Sequence, residues 1–314
     1  MRLAMVFPGQ GSQAVGMLRA YDGLPGVAQV REETAAVLGA DLLQVIDEGP
    51  AEALALTRNT QPAMLAAGVA AWRAWCARGG PVPVVMAGHS LGEYTALVAA
   101  GALAYADALR LVRLRAEAMQ AAVPEGTGAM AAIVGLADDA VRAACAEAAQ
   151  GEVVEAVNYN APGQVVIAGH RLAVARAIDA CRARGARRVM PLPVSAPFHC
   201  TLMQPAAERL REALARTPVA APRIPVLHNA DVGEAADAAA VREALVRQAA
   251  SPVRWVETVR QMRSRGATHL VECGPGKVLA GLARRIEPAL AVLALADRAS
   301  LEAALAQLEG ENGA

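Results

Sequence analysis

The chain has 314 residues, 55% of them hydrophobic, enough to bury a large core in one domain or in a large domain carrying an insert. Its 30 basic and 30 acidic residues cancel, so no net charge directs it to nucleic acid or to an anionic membrane. The cysteines (Cys76, Cys145, Cys181, Cys200, Cys273) are odd in number and lack C-x-x-C spacing, which argues against a disulfide framework or a zinc site, and no apolar stretch is long enough to span a membrane.

The chain opens on a short strand at 3–7 rather than on a cleavable leader, so a cytoplasmic protein is expected. The strand ends in Pro8-Gly9-Gln10-Gly11-Ser12-Gln13. Two readings fit this glycine-rich turn: a plain strand-to-helix loop, or one whose backbone N–H near Gln10 is a donor to an oxyanion. Residues 27–77 have a helical pattern. Thr60 is a candidate N-cap, Gln61-Pro62 opens the helix, and Trp72 and Trp75 are packing anchors ahead of Gly79-Gly80.

The apolar run 82–87 then leads through Gly88-His89-Ser90-Leu91-Gly92 into a helical stretch at 95–100. A buried strand that turns sharply into a helix is the setting of a nucleophile elbow. Small residues at 88 and 92 let the turn be tight and the Ser90 hydroxyl project. Leu91 contributes a backbone N–H at a helix N-terminus, where unpaired donors and the helix dipole favour an oxyanion.

Gly101 breaks the pattern and a helix follows from Asp107 to about Ala122. Its apolar face carries Ala108, Leu111, Val112, Met119 and Ala122, with Arg115 in the middle. A guanidinium there needs an anion. Either a carboxylate of the protein supplies it, or it arrives with a substrate, and a planar guanidinium suits bidentate capture of a carboxylate.

Pro124-Glu125-Gly126-Thr127-Gly128 marks a boundary. Beyond it we expect a strand at 129–134, a helix at 138–149, strands at 152–158 and 164–168, a helix at 172–184 and a strand at 187–192. This β-α-β-β-α-β order is that of a ferredoxin-like unit. The expected organisation is therefore α/β: an α/β-hydrolase-like large domain (1–124 and 196–314) with a parallel sheet and a nucleophile elbow, split by a ferredoxin-like small domain (125–195). Arg182, Arg184, Arg187 and Arg188 close the second helix of the insert, where they complement its C-terminal dipole.

His199, on the loop Ser195-Ala196-Pro197-Phe198-His199-Cys200 before a helix at 202–216, is the best candidate for a general base. His89 is the elbow's variable residue; His170, His228 and His269 lie at strand ends. Cys200 is read as a bystander rather than a nucleophile. Strands are expected at 224–228 and 269–272, with helices at 241–249 and 255–265 between them. Cys273-Gly274-Pro275-Gly276-Lys277 lacks the spacing of a phosphate loop and is read as a tight turn before a helix at 278–286. The tail 309–314 is expected to fray.

Several of these signals coincide: Phe7-Pro8-Gly9-Gln10-Gly11-Ser12-Gln13, Gly88-His89-Ser90-Leu91-Gly92-Glu93-Tyr94, Leu114-Arg115, Asn158-Tyr159-Asn160-Ala161-Pro162-Gly163-Gln164, Ser195-Ala196-Pro197-Phe198-His199 and Glu272-Cys273-Gly274-Pro275-Gly276. In this order the set resembles the malonyl-CoA:acyl carrier protein transacylases of fatty acid synthesis, over nearly the whole chain. The resemblance implies that Ser90 takes the malonyl group from malonyl-CoA and passes it to the phosphopantetheine thiol of acyl carrier protein by a ping-pong mechanism. His199 would serve as base and acid, the N–H groups of Gln10 and Leu91 as oxyanion hole, and Arg115 as ligand of the malonyl carboxylate. It further implies that Gln248 and a backbone carbonyl near it orient the histidine, that Asn160 and His89 belong to the substrate cleft, and that no metal or bound cofactor is needed.

Phe198 departs from the small residue commonest before the histidine in bacterial members. In related polyketide domains a phenylalanine there accompanies malonyl rather than methylmalonyl selection, and the same is expected here. The arginine cluster at 182–188 would steer an acidic carrier. Readings that remain beside this one are a serine hydrolase or thioesterase, a dedicated partner of a malonate decarboxylase or polyketide synthase, and a non-catalytic carrier-binding module.

Overall fold

A computed structural model describes residues 1–194 and 196–312. Ser195, which ends the expected small domain and opens the histidine motif, and the last two residues of the tail lie outside the described residues. In chain order the first half runs β1 (Leu3–Phe7), α1 (Val27–Leu38), α2 (Ala40–Glu48), α3 (Ala51–Ala55), α4 (Thr57–Ala77), β2 (Val85–Gly88), α5 (Gly92–Ala99) and α6 (Tyr105–Ala121). A middle segment follows with β3 (Gly128–Val134), α7 (Asp138–Ala149), β4 (Val154–Ala161), β5 (Gln164–His170), α8 (Arg171–Ala183) and β6 (Arg188–Pro191). The remainder is α9 (Gln204–Ala215), β7 (Val226–Leu227), α10 (Ala238–Ala249), α11 (Trp255–Ser264), β8 (His269–Cys273), α12 (Val278–Ile286), β9 (Ala291–Leu295) and α13 (Arg298–Asn312).

Two sheets organise these elements. The first is all parallel, in the order β7-β2-β1-β8-β9. Its central strands are apolar on both faces because helices cover both: β1 reads Leu-Ala-Met-Val-Phe and is buried throughout. One face packs on α4, whose Ala63–Ala71 stretch is buried with only small or apolar side chains. The opposite face packs on α11 and α12 through Trp255, Val259 and Leu282. The second sheet is antiparallel, in the order β4-β5-β3-β6. That is the order a ferredoxin-like β-α-β-β-α-β segment produces, with α7 and α8 on one face over Ile133, Val165 and Ile167. Its other face meets the first unit in an apolar seam of Met119, Met130, Val157, Phe198 and Met203.

The structure differs from the sequence expectation in three places. The 27–77 stretch is four helices, broken at Gly39, Gly49 and Leu56; the φ values of the two glycines, 86° and 82°, are ones only glycine adopts without strain. The last of them starts at Thr57 rather than at the expected cap Thr60. The N–H groups of Asn59 and Thr60 both bond the Leu56 carbonyl, so the first turn closes before Pro62 is reached. Finally, the chain continues past α12 through an edge strand, β9, into α13, which runs on through Glu309 to Asn312 where fraying was expected. Leu301, Ala304, Leu305 and Leu308 anchor that helix in the core.

The Cys273–Lys277 segment is a tight turn, as read from sequence. Glu272 is fully buried and its Oε2 accepts the N–H of Ala280 at 2.7 Å. The N-terminus of α12 is thus already occupied by the chain's own carboxyl. Burial pushes that carboxyl up to about 7. Trp75 is fully buried with Nε1 donating to Pro81 O, and Trp72 meets Phe7 edge to face; both are packing residues.

Candidate active site

The site lies at the C-terminal ends of β1 and β2, where parallel α/β sheets place their ligands. Between β2 and α5 the chain reverses within three residues, and Ser90 sits in the left-handed region at φ 52°. The glycines around it are obligatory. A Cβ on Gly88 would lie 1.8 Å from the Gly92 carbonyl carbon, and one on Gly92 would lie 2.0 Å from Phe7 O.

Ser90 Oγ is 2.6 Å from His199 Nε2 across 109 residues of sequence. The Nδ1 of His199 is 3.0 Å from the backbone carbonyl of Gln248. A carbonyl can only accept, so the proton is on Nδ1 and Nε2 is free to take the serine proton. Among the described residues no carboxylate takes the third place of a triad. Burial, then the nearby Arg115 cation, drives the His199 pKa down to about 3, which keeps the ring neutral, with Nε2 unprotonated, over the ordinary range.

Arg115 reaches the same hydroxyl from α6. Its side chain is 1% exposed, the most buried kind of position for an arginine. Nη2 donates to Ser90 Oγ at 3.1 Å and to Gln248 Oε1 at 3.0 Å, Nη1 donates to Gln61 Oε1 at 2.8 Å, and Tyr94 lies against the guanidinium. All the groups bonded to it are neutral. Among the described residues no carboxylate comes within ion-pair distance, while surface arginines such as Arg31 and Arg73 are paired. Of the two partners open to Arg115 from sequence, a carboxylate of the protein is not there.

Gln248, 0% exposed, joins the three: its Oε1 holds Arg115, its Nε2 donates to Ser90 O at 2.7 Å and its own carbonyl orients His199. Leu91 and Gln10 line, with Ser90, a cavity of about 120 Å³. Among the described residues neither amide has an acceptor, whereas the Ser90 amide is taken by Asn229 Oδ1 at 2.7 Å. The pair can therefore receive an oxyanion beside the serine. Phe198 and His89 line the same cavity, together with Met119 and Met130. Asn160 does not; its Oδ1 accepts from His89 Nε2 at 2.8 Å, and burial lowers the pKa of that histidine.

Cys200 is buried with Sγ donating to Pro197 O, and burial pushes it up to about 12, so it has no thiolate to offer. Among the described residues no cluster of His, Cys, Asp and Glu could hold a metal ion. Sequence reasoning missed Gln61, read only as a helix opening, and Asn229. Neither sits in a spacing pattern, and both matter only through contacts with residues far along the chain.

A strained elbow serine bonded to a neutral histidine, with two free amides beside it, defines an enzyme of covalent acyl transfer. A profile of the acyl transferase domain family matches residues 4–293. The chain is similar to the malonyl CoA-acyl carrier protein transacylase of Salmonella typhimurium, 54% identical over 98% of this chain and 99% of that protein. Its fold matches the acyl-carrier-protein S-malonyltransferase of Burkholderia pseudomallei 1710b at 57% identity and TM-score 0.95, covering 97% of this chain and 99% of that one. It also matches a malonyl-transacylase solved in complex with a type II PKS acyl-carrier protein, at 52% identity and TM-score 0.96, over 98% of this chain and 100% of that one. The chain belongs to the acyl transferase family, and within it to the malonyl CoA-acyl carrier protein transacylases.

Proposed function

We propose that this protein transfers the malonyl group of malonyl-CoA to the phosphopantetheine thiol of acyl carrier protein through a malonyl-Ser90 intermediate. The observation that carries the substrate choice is the buried Arg115 whose hydrogen-bond partners are all neutral: a cation beside the nucleophile with no carboxylate of the described residues in contact favours an acyl group that brings one.

In the first half-reaction Ser90 Oγ attacks the thioester carbon as His199 Nε2 takes its proton. The carbonyl oxygen becomes an oxyanion and draws on the N–H groups of Leu91 and Gln10. Collapse breaks the carbon–sulfur bond, and His199 returns the proton to the departing CoA thiol. Arg115 exchanges its bond to Ser90 for the malonyl carboxylate, while Gln61 and Gln248 hold the fork in place. In the second half-reaction His199 deprotonates the carrier thiol, which attacks the ester, and Ser90 leaves with the proton. Phe198 and the methionines line the cavity around the acyl carbon, His89 bonded to Asn160 stands on the side of the β4 strand, and this apolar lining limits attack by water. The catalytic domain in this reading is 1–124 with 196–314, and 125–195 is a small domain that roofs the cleft. The chemistry needs no bound cofactor, and we assign the protein to the cytoplasm.

Intact-mass analysis after brief mixing with malonyl-CoA tests this. The expected result is a malonyl adduct on the wild type, none on Ser90→Ala, and discharge onto holo carrier protein. An adduct that decays to free malonate without a thiol acceptor would make the protein a thioesterase instead. A polyketide carrier is a second acceptor to try, because the carrier in the similar complex is of that type.

A further inference from the structure

The amide of Ser90 does not serve the cavity; it is bound from behind. Asn229 follows β7, a strand of two residues that joins the sheet by pairing Met86 with Val226 and Ala87 with Leu227. So short an edge strand holds little by itself, yet Asn229 is 0% exposed and every polar group it has is engaged. Its Oδ1 accepts the Ser90 N–H at 2.7 Å and its Nδ2 donates to Gly88 O at 2.7 Å. Its own N–H donates to Glu93 Oε2 at 2.8 Å, and its carbonyl accepts from Arg254 N at 3.0 Å. Glu93, also fully buried, takes His228 Nδ1 on its other oxygen at 2.8 Å.

We infer that Asn229 is a positioning residue of the nucleophile: its carboxamide clamps the backbone on both sides of the elbow, at Gly88 O and Ser90 N–H, and so fixes where Ser90 Oγ stands. A serine at φ 52° is in a conformation that its own backbone does not favour, so something outside the turn must hold it there. Asn229 does this with two bonds from one planar group, which sets an orientation as well as a distance. It also satisfies the Ser90 amide, leaving Leu91 N–H as the elbow's one donor toward the cavity. Glu93 fixes the clamp in turn, through the Asn229 N–H and through His228 beside it. The carbonyl bond to Arg254 ties the clamp to the segment whose neighbour Val253 pairs with Val157 of the small sheet, so the elbow and the roof of the cleft share an anchor. A displacement of the attacking oxygen by 1 Å is enough to lower an acylation rate about 100-fold.

This inference rests on Ser90 being the nucleophile, and its test separates the two. The full-length protein is labelled with a fluorophosphonate probe, which reports serine reactivity without any malonyl group, and in parallel acylated with malonyl-CoA. Asn229→Ala is compared with wild type and with Leu301→Ala, a core truncation in α13 remote from the site, each rate being taken per folded molecule. The expected result is that Asn229→Ala slows labelling and malonyl transfer at least tenfold, with KM for malonyl-CoA within about twofold, while Leu301→Ala retains the wild-type rates. Wild-type labelling by Asn229→Ala, or a loss no larger than that of Leu301→Ala, overturns the inference. Should Asn229→Ala not fold, Asn229→Asp carries the test. It keeps the acceptor for Ser90 N–H and loses the donor to Gly88 O, and a wild-type labelling rate in that variant likewise overturns it. Failure of malonyl-CoA to acylate a wild type that the probe does label would strike the substrate reading alone.

Discussion

Arg115 Nη2 lies 3.1 Å from Ser90 Oγ, and the other acceptors of that guanidinium are two glutamine carbonyls. A cation so placed has two consequences: it stabilises negative charge on the serine oxygen, and its Nη2 can exchange the bond to Ser90 for the carboxylate of an acyl chain. Arg115→Ala is expected to lower kcat/KM for malonyl-CoA by about 100-fold or more, since removing one partner of a desolvated charge pair costs roughly 2–5 kcal/mol. Transfer from acetyl-CoA, which brings no carboxylate, should change far less. Initial rates with the two thioesters measure the difference, and equal losses would return Arg115 to a structural role.

The pH profile should carry the mark of the buried histidine. His199 must be neutral to act as base, and its pKa is held down at about 3 by burial and by Arg115. Reactivity should therefore persist as pH falls through 6.5, the value of a free histidine, and decline only below about pH 5. Arg115→Gln removes the second cause and leaves burial, so its acid limb should move upward while staying below the free value. Fluorophosphonate labelling against pH reads this without titrating a substrate. A wild-type limb near 6.5 would contradict the structure.

Phe198 is 9% exposed and its ring closes one wall of the cavity. Phe198→Ala should open room for an α-methyl group and raise the ratio of methylmalonyl to malonyl transfer about tenfold or more, the usual worth of one methylene in a fitted pocket. Competition between the two CoA thioesters is the measurement; an unchanged ratio would move selectivity elsewhere.

Gly88→Ala tests the elbow's packing. The added methyl would stand 1.8 Å from the Gly92 carbonyl carbon, a backbone atom with no freedom to swing aside. The turn has to open, and we expect a destabilisation of about 3 kcal/mol or more, seen as a lower Tm, together with loss of serine labelling. A variant with wild-type Tm and reactivity would show that the turn is far softer than its contacts imply.

Much of this site was legible because its signals are local. The elbow is a run of five residues whose glycines and serine mark a tight strand-to-helix turn, and Arg115 announced itself by standing on an apolar helix face. The order of elements in the middle segment was legible through its strand–helix rhythm, each falling within a few residues of its expected place. What escaped depends on distant partners. Asn229 meets Ser90 across 139 residues and Gln61 meets Arg115 across 54, and neither has a neighbour in sequence that hints at it. Asn160, expected in the cleft, does not line the cavity itself and meets it through His89, to which its carboxamide is bonded.

By itself, then, the sequence determined the parts: an elbow serine, a candidate base on a loop, an arginine on an apolar helix face and the strand–helix rhythm of each segment. Local sterics and hydrophobic periodicity act over a few residues, and those are written directly in the chain. Only the tertiary structure decided that His199 reaches Ser90 with the correct nitrogen, that Gln248 stands where a triad's carboxylate would, and that no carboxylate of the described chain neutralises Arg115. Those facts concern which polar groups share a buried space. Burial gives such contacts their energy and determines their geometry, and the packing of both sheets together creates that burial.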